Sequence, residues 1–404
     1  MTVHRARVVM PMNSPPIEDG AVIVSGAEIV EVGPFRNVDR GNAEVVDHGE
    51  VVLLPGLINA HCHLDYTTMR GAILERRSFA AWVRRINELK RTLTDDDYLA
   101  AIARGFSELK HWGTTTVLNV EAFPELMPRL PRPPIRTWWF YEMLDLRNRI
   151  HTDDVVAGAL SFFDARPEWD GGFGLSPHAP YSTSMELYRL ARSCAETTGM
   201  PFMTHLAESE EEMSLFAGGD GPMFDFLQKL GRDMGDTGGR SPIELMLSGG
   251  ALPTGAILVH MNHVTAADQE ALSERAGEFH IVHCPGCHDY FDRPPFPYEL
   301  HRRLGFPVSL GTDSCASNRG LNLFAEMRTF RRNFPSVSPE DILAMVTRNP
   351  AAALGLSESL GVLKPGAKAD LIAVAFDGPL GEAVESVCEN VSPPCFVKSA
   401  TQSE

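Results

Sequence analysis

Four apolar runs in this chain each end in a side chain that can bind a metal or carry a proton. The run Val51-Val52-Leu53-Leu54-Pro55-Gly56-Leu57-Ile58 leads into His61-Cys62-His63. Met203-Thr204 leads into His205, with Glu208 just beyond. Ile257-Leu258-Val259 ends in His260, and Val308-Ser309-Leu310-Gly311-Thr312 ends in Asp313. A strand alternates its side chains between two faces, so His61 and His63 point the same way and Cys62 turns away. Residues this far apart in sequence act together only in a fold that brings many strand ends to one place.

Eight strand-like runs are present, at 51–58, 114–120, 135–144, 173–178, 201–206, 255–261, 279–284 and 306–311. Most are separated by helix-length amphipathic stretches. One helix is expected over 96–111, after the N-capping Thr94-Asp95-Asp96-Asp97. A second is expected over 184–198, between Ser184 and Gly199, and a third over 338–348 behind Ser338-Pro339. Strands that alternate with helices pair in parallel through crossover units. The expected fold is therefore α/β, a (β/α)8 TIM-type barrel over residues 51–361. A doubly wound open sheet is the weaker alternative, because no Gly-rich phosphate turn follows the first strand. The Gly-rich stretch 217–250 is expected as a loop and helix insertion after the fifth strand. Residues 3 to 50 carry short alternating segments separated by Gly, Asn and Asp, and 366–374 again looks like strand. The pattern predicts a small antiparallel β-sheet domain, discontinuous in sequence, from residues 1–50 plus 362–404.

The formal net charge of −17 argues against nucleic acid or an anionic membrane surface as a partner. Seven scattered cysteines do not form a disulfide framework, and no secretory signal or long apolar span is visible. The expected setting is a reduced cytoplasm, and the expected partner is a small-molecule substrate.

In a barrel, the C-terminal strand ends build the site. His61, His63, His205 and Asp313 would meet there as three imidazoles and a carboxylate, leaving one position open for water. A metal so held lowers the pKa of its water to about 7. Glu208, one short turn beyond His205, suits a proton shuttle. His260 could hold the attacked group or stabilise developing charge. A single buried histidine is more often a packed core residue than a ligand, and Asp313 alone could be a turn former. Their joint placement at strand ends is what points to a metal.

Other residues are less decided. His178, in Ser176-Pro177-His178-Ala179-Pro180, ends the fourth strand run, or is simply a loop histidine between prolines. No lysine ends that strand, so a carbamylated lysine bridging two metals is not expected. Glu142 is an extra ligand or an ion-pair partner. Trp82 packs in the core or forms an apolar wall for a flat ring. Cys284-Pro285-Gly286-Cys287-His288 matches haem-attachment and redox patterns, yet it closes the seventh of eight strands and has no second cysteine pair. It is expected as a pocket loop, with His283 before it facing the site.

These motifs resemble the amidohydrolase superfamily, in its cytosine-deaminase, chlorohydrolase and S-adenosylhomocysteine deaminase branch. The resemblance rests on Pro55-Gly56-Leu57-Ile58-Asn59-Ala60-His61-Cys62-His63, His205-Leu206-Ala207-Glu208, His260 and Gly311-Thr312-Asp313-Ser314. Leu321-Asn322-Leu323-Phe324-Ala325-Glu326 and Leu363-Lys364-Pro365-Gly366-Ala367-Lys368-Ala369-Asp370 extend it over nearly the whole chain. It implies a barrel with a β-sandwich built from the chain ends, and one zinc or iron ion bound by His61, His63, His205 and Asp313. It implies proton transfer by Glu208, assistance from His260 and Asp313, and substrate contact by His178. The implied reaction is hydrolytic loss of ammonia from a ring carbon, and homo-oligomers are common in the branch. His283-Cys284-Pro285-Gly286-Cys287-His288 departs from the usual His-x-Pro-x-Ser-Asn and looks more like the aminodeoxyfutalosine deaminase-like group. Expected substrates are adenine nucleosides such as aminodeoxyfutalosine, methylthioadenosine or S-adenosylhomocysteine. Guanine, pterin or cytosine deamination, triazine dechlorination and a non-catalytic metal-binding role are the alternatives.

Overall fold

The computed structural model describes residues 1–146 and 149–397 of the chain. The end of the segment assigned above to the small domain, 398–404, lies outside them. The chain divides into two compact units. One holds His61–Phe106 and Val117–Leu321; the other holds Met1–Ala60, Ser107–Thr116 and the chain from Asn322 on. No helix among the described residues is long and apolar enough to cross a membrane.

The strands that carry the candidate residues are β1 (Leu57–His63), β2 (Thr114–Glu121), β3 (Arg136–Met143), β4 (Gly171–Pro177), β5 (Met203–Leu206), β6 (Ile257–His260), β7 (His280–His283), β8 (Val308–Leu310) and β9 (Asp313–Ser314). They form two sheets, in the orders β9-β1-β2-β3-β4 and β5-β6-β7-β8. The ladders β3–β4, β5–β6, β6–β7, β7–β8 and β9–β1 are all parallel. A parallel bridge joins Leu175 to Phe202. Residues 308–314 pair first with β7 through Val308–Leu310 and then with β1 through Asp313 and Ser314. The strands are near-continuous buried runs, as expected where helices cover a parallel sheet.

One expectation is corrected. The run 51–58 is two strands, Val51–Pro55 and Leu57–His63, which join different sheets. Gly56 lies between them, where a Cβ would sit 2.1 Å from Thr115 Cγ2. Apolar continuity hid the break, because both strands are buried.

The unit built on the chain ends has a seven-stranded sheet, and its described strands are not all antiparallel as expected. Thr2–Val9 pairs antiparallel with Ile17–Ser25 but parallel with Glu44–Asp47 and Val51–Pro55. Leu371–Ala375 and Cys395–Val397 complete it from the other chain end. Its core includes Val9, Val22, Ile29, Leu53, Leu363 and Leu371.

Helices begin where the caps predict. Ser184 accepts from the N–H of Leu187, and Gly199 ends that helix at φ 72°. The helix expected over 338–348 stops at Ala344, and a second runs over Arg348–Ala353, because Thr347 leaves the helical region at φ −134°.

Close packing at one glycine reaches directly into the site. A Cβ on Gly311 would lie 2.8 Å from the carbonyl oxygen of His61 and 2.9 Å from its Cβ. Gly311→Ala should therefore push the 308–314 segment off β1 and lower stability by ~1–3 kcal/mol. Denaturant unfolding with unchanged stability in this variant would contradict the close approach.

Candidate metal centre and active site

Three imidazoles converge in the interior. Donor atoms of His61, His63 and His205 all lie within 4.8 Å of one another. His205 Nε2 is 3.2 Å from His61 Nε2 and 3.4 Å from His63 Nε2. Two nitrogens bound to one tetrahedral zinc at about 2.0–2.1 Å stand roughly 3.3 Å apart. The observed spacing therefore fits such an ion.

The ring orientations follow from what the other nitrogens meet. His205 Nδ1 lies 2.9 Å from the carbonyl oxygen of His178, which can only accept, so Nδ1 carries the proton. The Nε2 lone pair of the neutral ring then faces inward. His61 Nδ1 meets Met203 Sδ at 3.3 Å, which leaves its Nε2 toward the same point. Burial, aided by the charge of His61, holds His63 well below its usual pKa and His205 down to about 3. Both rings are neutral donors at neutral pH, the form that binds metal.

Asp313 closes the group from the next strand. Its Oδ1 lies 3.7 Å from His61 Nε2 and 3.8 Å from His63 Nε2. Burial raises this carboxyl, but the hydrogen bond and charge of His61, with His260 and His63, outweigh it and keep Asp313 well below the usual range. Ser314 N–H donates to Oδ1 at 2.7 Å. His260 Nε2 stands 4.0 Å from Asp313 Oδ2 and 3.7 Å from Glu208 Oε1.

Two of these residues have strained backbones. His260 has φ 75° and Asp313 φ 55°, left-handed values that non-glycine residues rarely adopt. Each costs of order 1–3 kcal/mol and persists because the surrounding structure over-determines it. Met261 N–H, donating to the Leu206 carbonyl at 3.0 Å, is part of that constraint.

Glu208 is held at main chain and side chain alike. Its N–H donates to Glu212 Oε2 at 2.7 Å, and its carbonyl accepts from Asn262 Nδ2 at 3.0 Å. Its Oε1 accepts from Arg293 Nη2 at 2.8 Å in a pair whose side chains are 6% and 7% exposed. Burial raises the carboxyl to about 8 although Arg293 opposes the rise, so it can take up and release a proton near neutral pH.

The cleft over this group is lined by His63, His178, His205, Glu208, His260 and Asp313 at its polar end. Its apolar side includes Leu144, Leu146, Phe226, Leu227, Leu230 and Phe291. Helix α1 (Phe79–Lys90) supplies one wall through Phe79, Trp82, Val83, Ile86, Asn87 and Lys90. These positions follow the 3.6-residue repeat of a single helix face. The helix is fixed at its start, where Ser78 caps it and Glu211 accepts the N–H groups of Phe79 and Ala80 at 3.0 and 2.8 Å. Trp82 stacks on Phe79 at 5.9 Å with 8° between the planes. It thus serves both as packing and as pocket wall.

His178 lines the cleft, with Nδ1 2.6 Å from Ser182 Oγ and Nε2 3.8 Å from Glu142 Oε1. Glu142 faces His178 and stands outside the three-imidazole group. His283 is buried and stacks on Phe296 at 3.9 Å; it is not among the described residues that line the cleft. The motif Cys284-x-x-Cys287-His288 is a short helix, Pro285–Tyr290, rather than a loop. Both its cysteines are free and buried, and burial, with the charge of Asp313, raises the Cys287 thiol well above its usual range.

Arg293, Asn262 and Glu212 lie outside the strand-end pattern that marks the other site residues in the sequence. Glu212 had a faint signal, lying one helical turn after Glu208; Arg293 had none, being an exposed-type residue in an irregular segment.

The profile of the amidohydrolase family matches residues 52–398. A 5-methylthioadenosine/S-adenosylhomocysteine deaminase of Syntrophobacter fumaroxidans is 31% identical over 379 residues, 90% of this chain and 81% of that protein. An aminodeoxyfutalosine deaminase of Deinococcus radiodurans is 28% identical over 351 residues, 83% of this chain and 81% of that protein. The crystal structure of Helicobacter pylori aminofutalosine deaminase with methylthio-coformycin matches with a TM-score of 0.84 at 22% identity, covering 98% of this chain and 97% of that one.

If the imidazoles hold a metal, it stabilises the folded chain by mass action. Zinc added to metal-free protein should raise the melting temperature, and His63→Ala should remove that rise. A zinc-dependent rise that survives in the variant would place the ion elsewhere.

Proposed function

The chain belongs to the amidohydrolase family and is a hydrolase acting on C–N bonds, and from that premise we propose that it deaminates an adenine nucleoside. The observation that carries this reading is the convergence of three imidazoles beside Asp313 and Glu208, at the polar end of an apolar cleft. The relatives named for aminodeoxyfutalosine, methylthioadenosine and S-adenosylhomocysteine define the candidate substrates. A purine is flat and largely apolar on its faces, which suits the wall of Trp82, Ile86 and Phe291.

One divalent metal would be held by His61, His63, His205 and Asp313; the nitrogen-rich donor set favours zinc, with iron as the alternative. When bound it supplies a Lewis acid that lowers the pKa of water to about 7. Water adds to the ring carbon that bears the exocyclic amine. Glu208 takes one proton from that water and passes it to the ring nitrogen, then moves the second, from the hydroxyl now on the ring carbon, to the departing amine. The C–N bond then breaks, and ammonia leaves. His260, with its Nε2 near both Glu208 and Asp313, steadies charge on the attacking oxygen. His178 and Trp82 contact the ring from the cleft wall.

The same reading takes the parallel strands from Leu57 on as one closed (β/α)8 barrel that ends by residue 361, with residues 1–50, the strand Val51–Pro55 and residues 362–404 as a small β-sandwich domain. The Leu175–Phe202 bridge and the divided pairing of residues 308–314 support closure. Seven free cysteines are consistent with a cytoplasmic setting.

Ammonia release should be measured from zinc-loaded protein with adenosine, methylthioadenosine, S-adenosylhomocysteine, aminodeoxyfutalosine, guanine and cytosine. Release from an adenine nucleoside is expected, and silence on all of these would sink the assignment. Glu208→Gln should lower kcat by ~10²–10⁴-fold while the metal content stays full, because a proton carrier is lost and no ligand is. Metal loss in that variant would move Glu208 into the ligand set.

A further inference from the structure

Glu208 and the segment 284–294 are tied together at several points. Arg293 Nη2 donates to Glu208 Oε1 at 2.8 Å. His288 Nε2 donates to the carbonyl of Pro294 at 2.8 Å, beside Arg293. The other ring nitrogen of His288 lies 3.3 Å from Asn262 Oδ1, and Asn262 Nδ2 in turn donates to the Glu208 carbonyl. One stretch of chain therefore holds Glu208 through its carboxylate and, by way of Asn262, through its main chain.

The guanidinium is itself fixed. It lies 4.7 Å from the ring centre of Phe291 and 5.4 Å from that of Phe79, both of which border the cleft. Aromatic faces set the plane of an arginine fork. Its Nη1 is buried and has no hydrogen-bond partner among the described residues. A buried ion pair with an orphaned donor is poor material for stability, because well-packed apolar residues in its place are often neutral or stabilising. The pair is better explained by what it does to Glu208.

We infer that Arg293 is a positioning residue for the reaction: it pins Oε1 of Glu208 and leaves Oε2 as the oxygen that carries the proton between water and the ring. A carboxylate free to rotate would present either oxygen at varying distance. A bond at 2.8 Å on one side removes that freedom before substrate arrives. The inference rests on the deaminase reading, and it gives the Cys284-x-x-Cys287-His288 motif a role as the strut that carries Arg293.

The test compares Arg293→Met, Arg293→Lys and Arg293→Ala with the parent, all checked for full metal content. Arg293→Met should lower kcat by ~10–100-fold, with KM within about 3-fold, because ground-state binding is untouched. Arg293→Lys should recover part of the loss, and added guanidinium ion should partly restore Arg293→Ala. Parent-like kcat in Arg293→Met would overturn the inference, as would a fall that neither lysine nor guanidinium relieves. If the parent protein releases no ammonia from any substrate, the deaminase reading fails. The pairing itself is then read from melting temperatures of Arg293→Met, Glu208→Gln and the double variant. Non-additive shifts are expected of a coupled pair, and additive shifts would reject it.

Discussion

Everything at this site depends on three imidazole lone pairs being forced toward one point in a buried interior. His205 Nε2 stands 3.2 Å from His61 Nε2 and 3.4 Å from His63 Nε2, the spacing of nitrogens that share one ion. The carbonyl of His178 commits His205, and Met203 engages His61. Burial opposes the alternative of charging the rings. The arrangement is therefore one that a divalent cation relieves, and the protein holds it ready through rigid parallel strands.

Rigid support continues outward. His260 and Asp313, at strand ends beside this centre, both hold left-handed backbones. The Met261 N–H bond to the Leu206 carbonyl holds the chain directly after His260. Glu208 is fixed at N–H, carbonyl and carboxylate by Glu212, Asn262 and Arg293. The cleft wall is fixed at the start of α1 by Glu211. Chemistry that needs a proton carrier beside a Lewis acid requires this stiffness, since misplacement by even an ångström weakens both.

Much of this was legible without coordinates because strand periodicity is local. Two histidines at i and i+2 in a buried run must share a face, and the run after Met203 must end at His205. Helix caps at Ser184 and Gly199 carry their meaning in one or two residues. What local pattern could not reveal was where an apolar run changes sheets. The change falls at Gly56, where Thr115, nearly sixty residues away, leaves no room for a Cβ. Nor could it show His283 stacked on Phe296 instead of lining the cleft.

The sequence by itself determined the donor chemistry: three imidazoles and a carboxylate at the ends of buried runs, with a glutamate one short turn beyond. Side-chain identity and strand alternation suffice for that. The tertiary structure alone decided which nitrogen of each ring faces the centre, which carboxylate oxygen of Glu208 is held, and that an arginine in an irregular segment holds it. Those choices are made by hydrogen bonds between residues up to 142 positions apart, and such bonds exist only after the chain has folded.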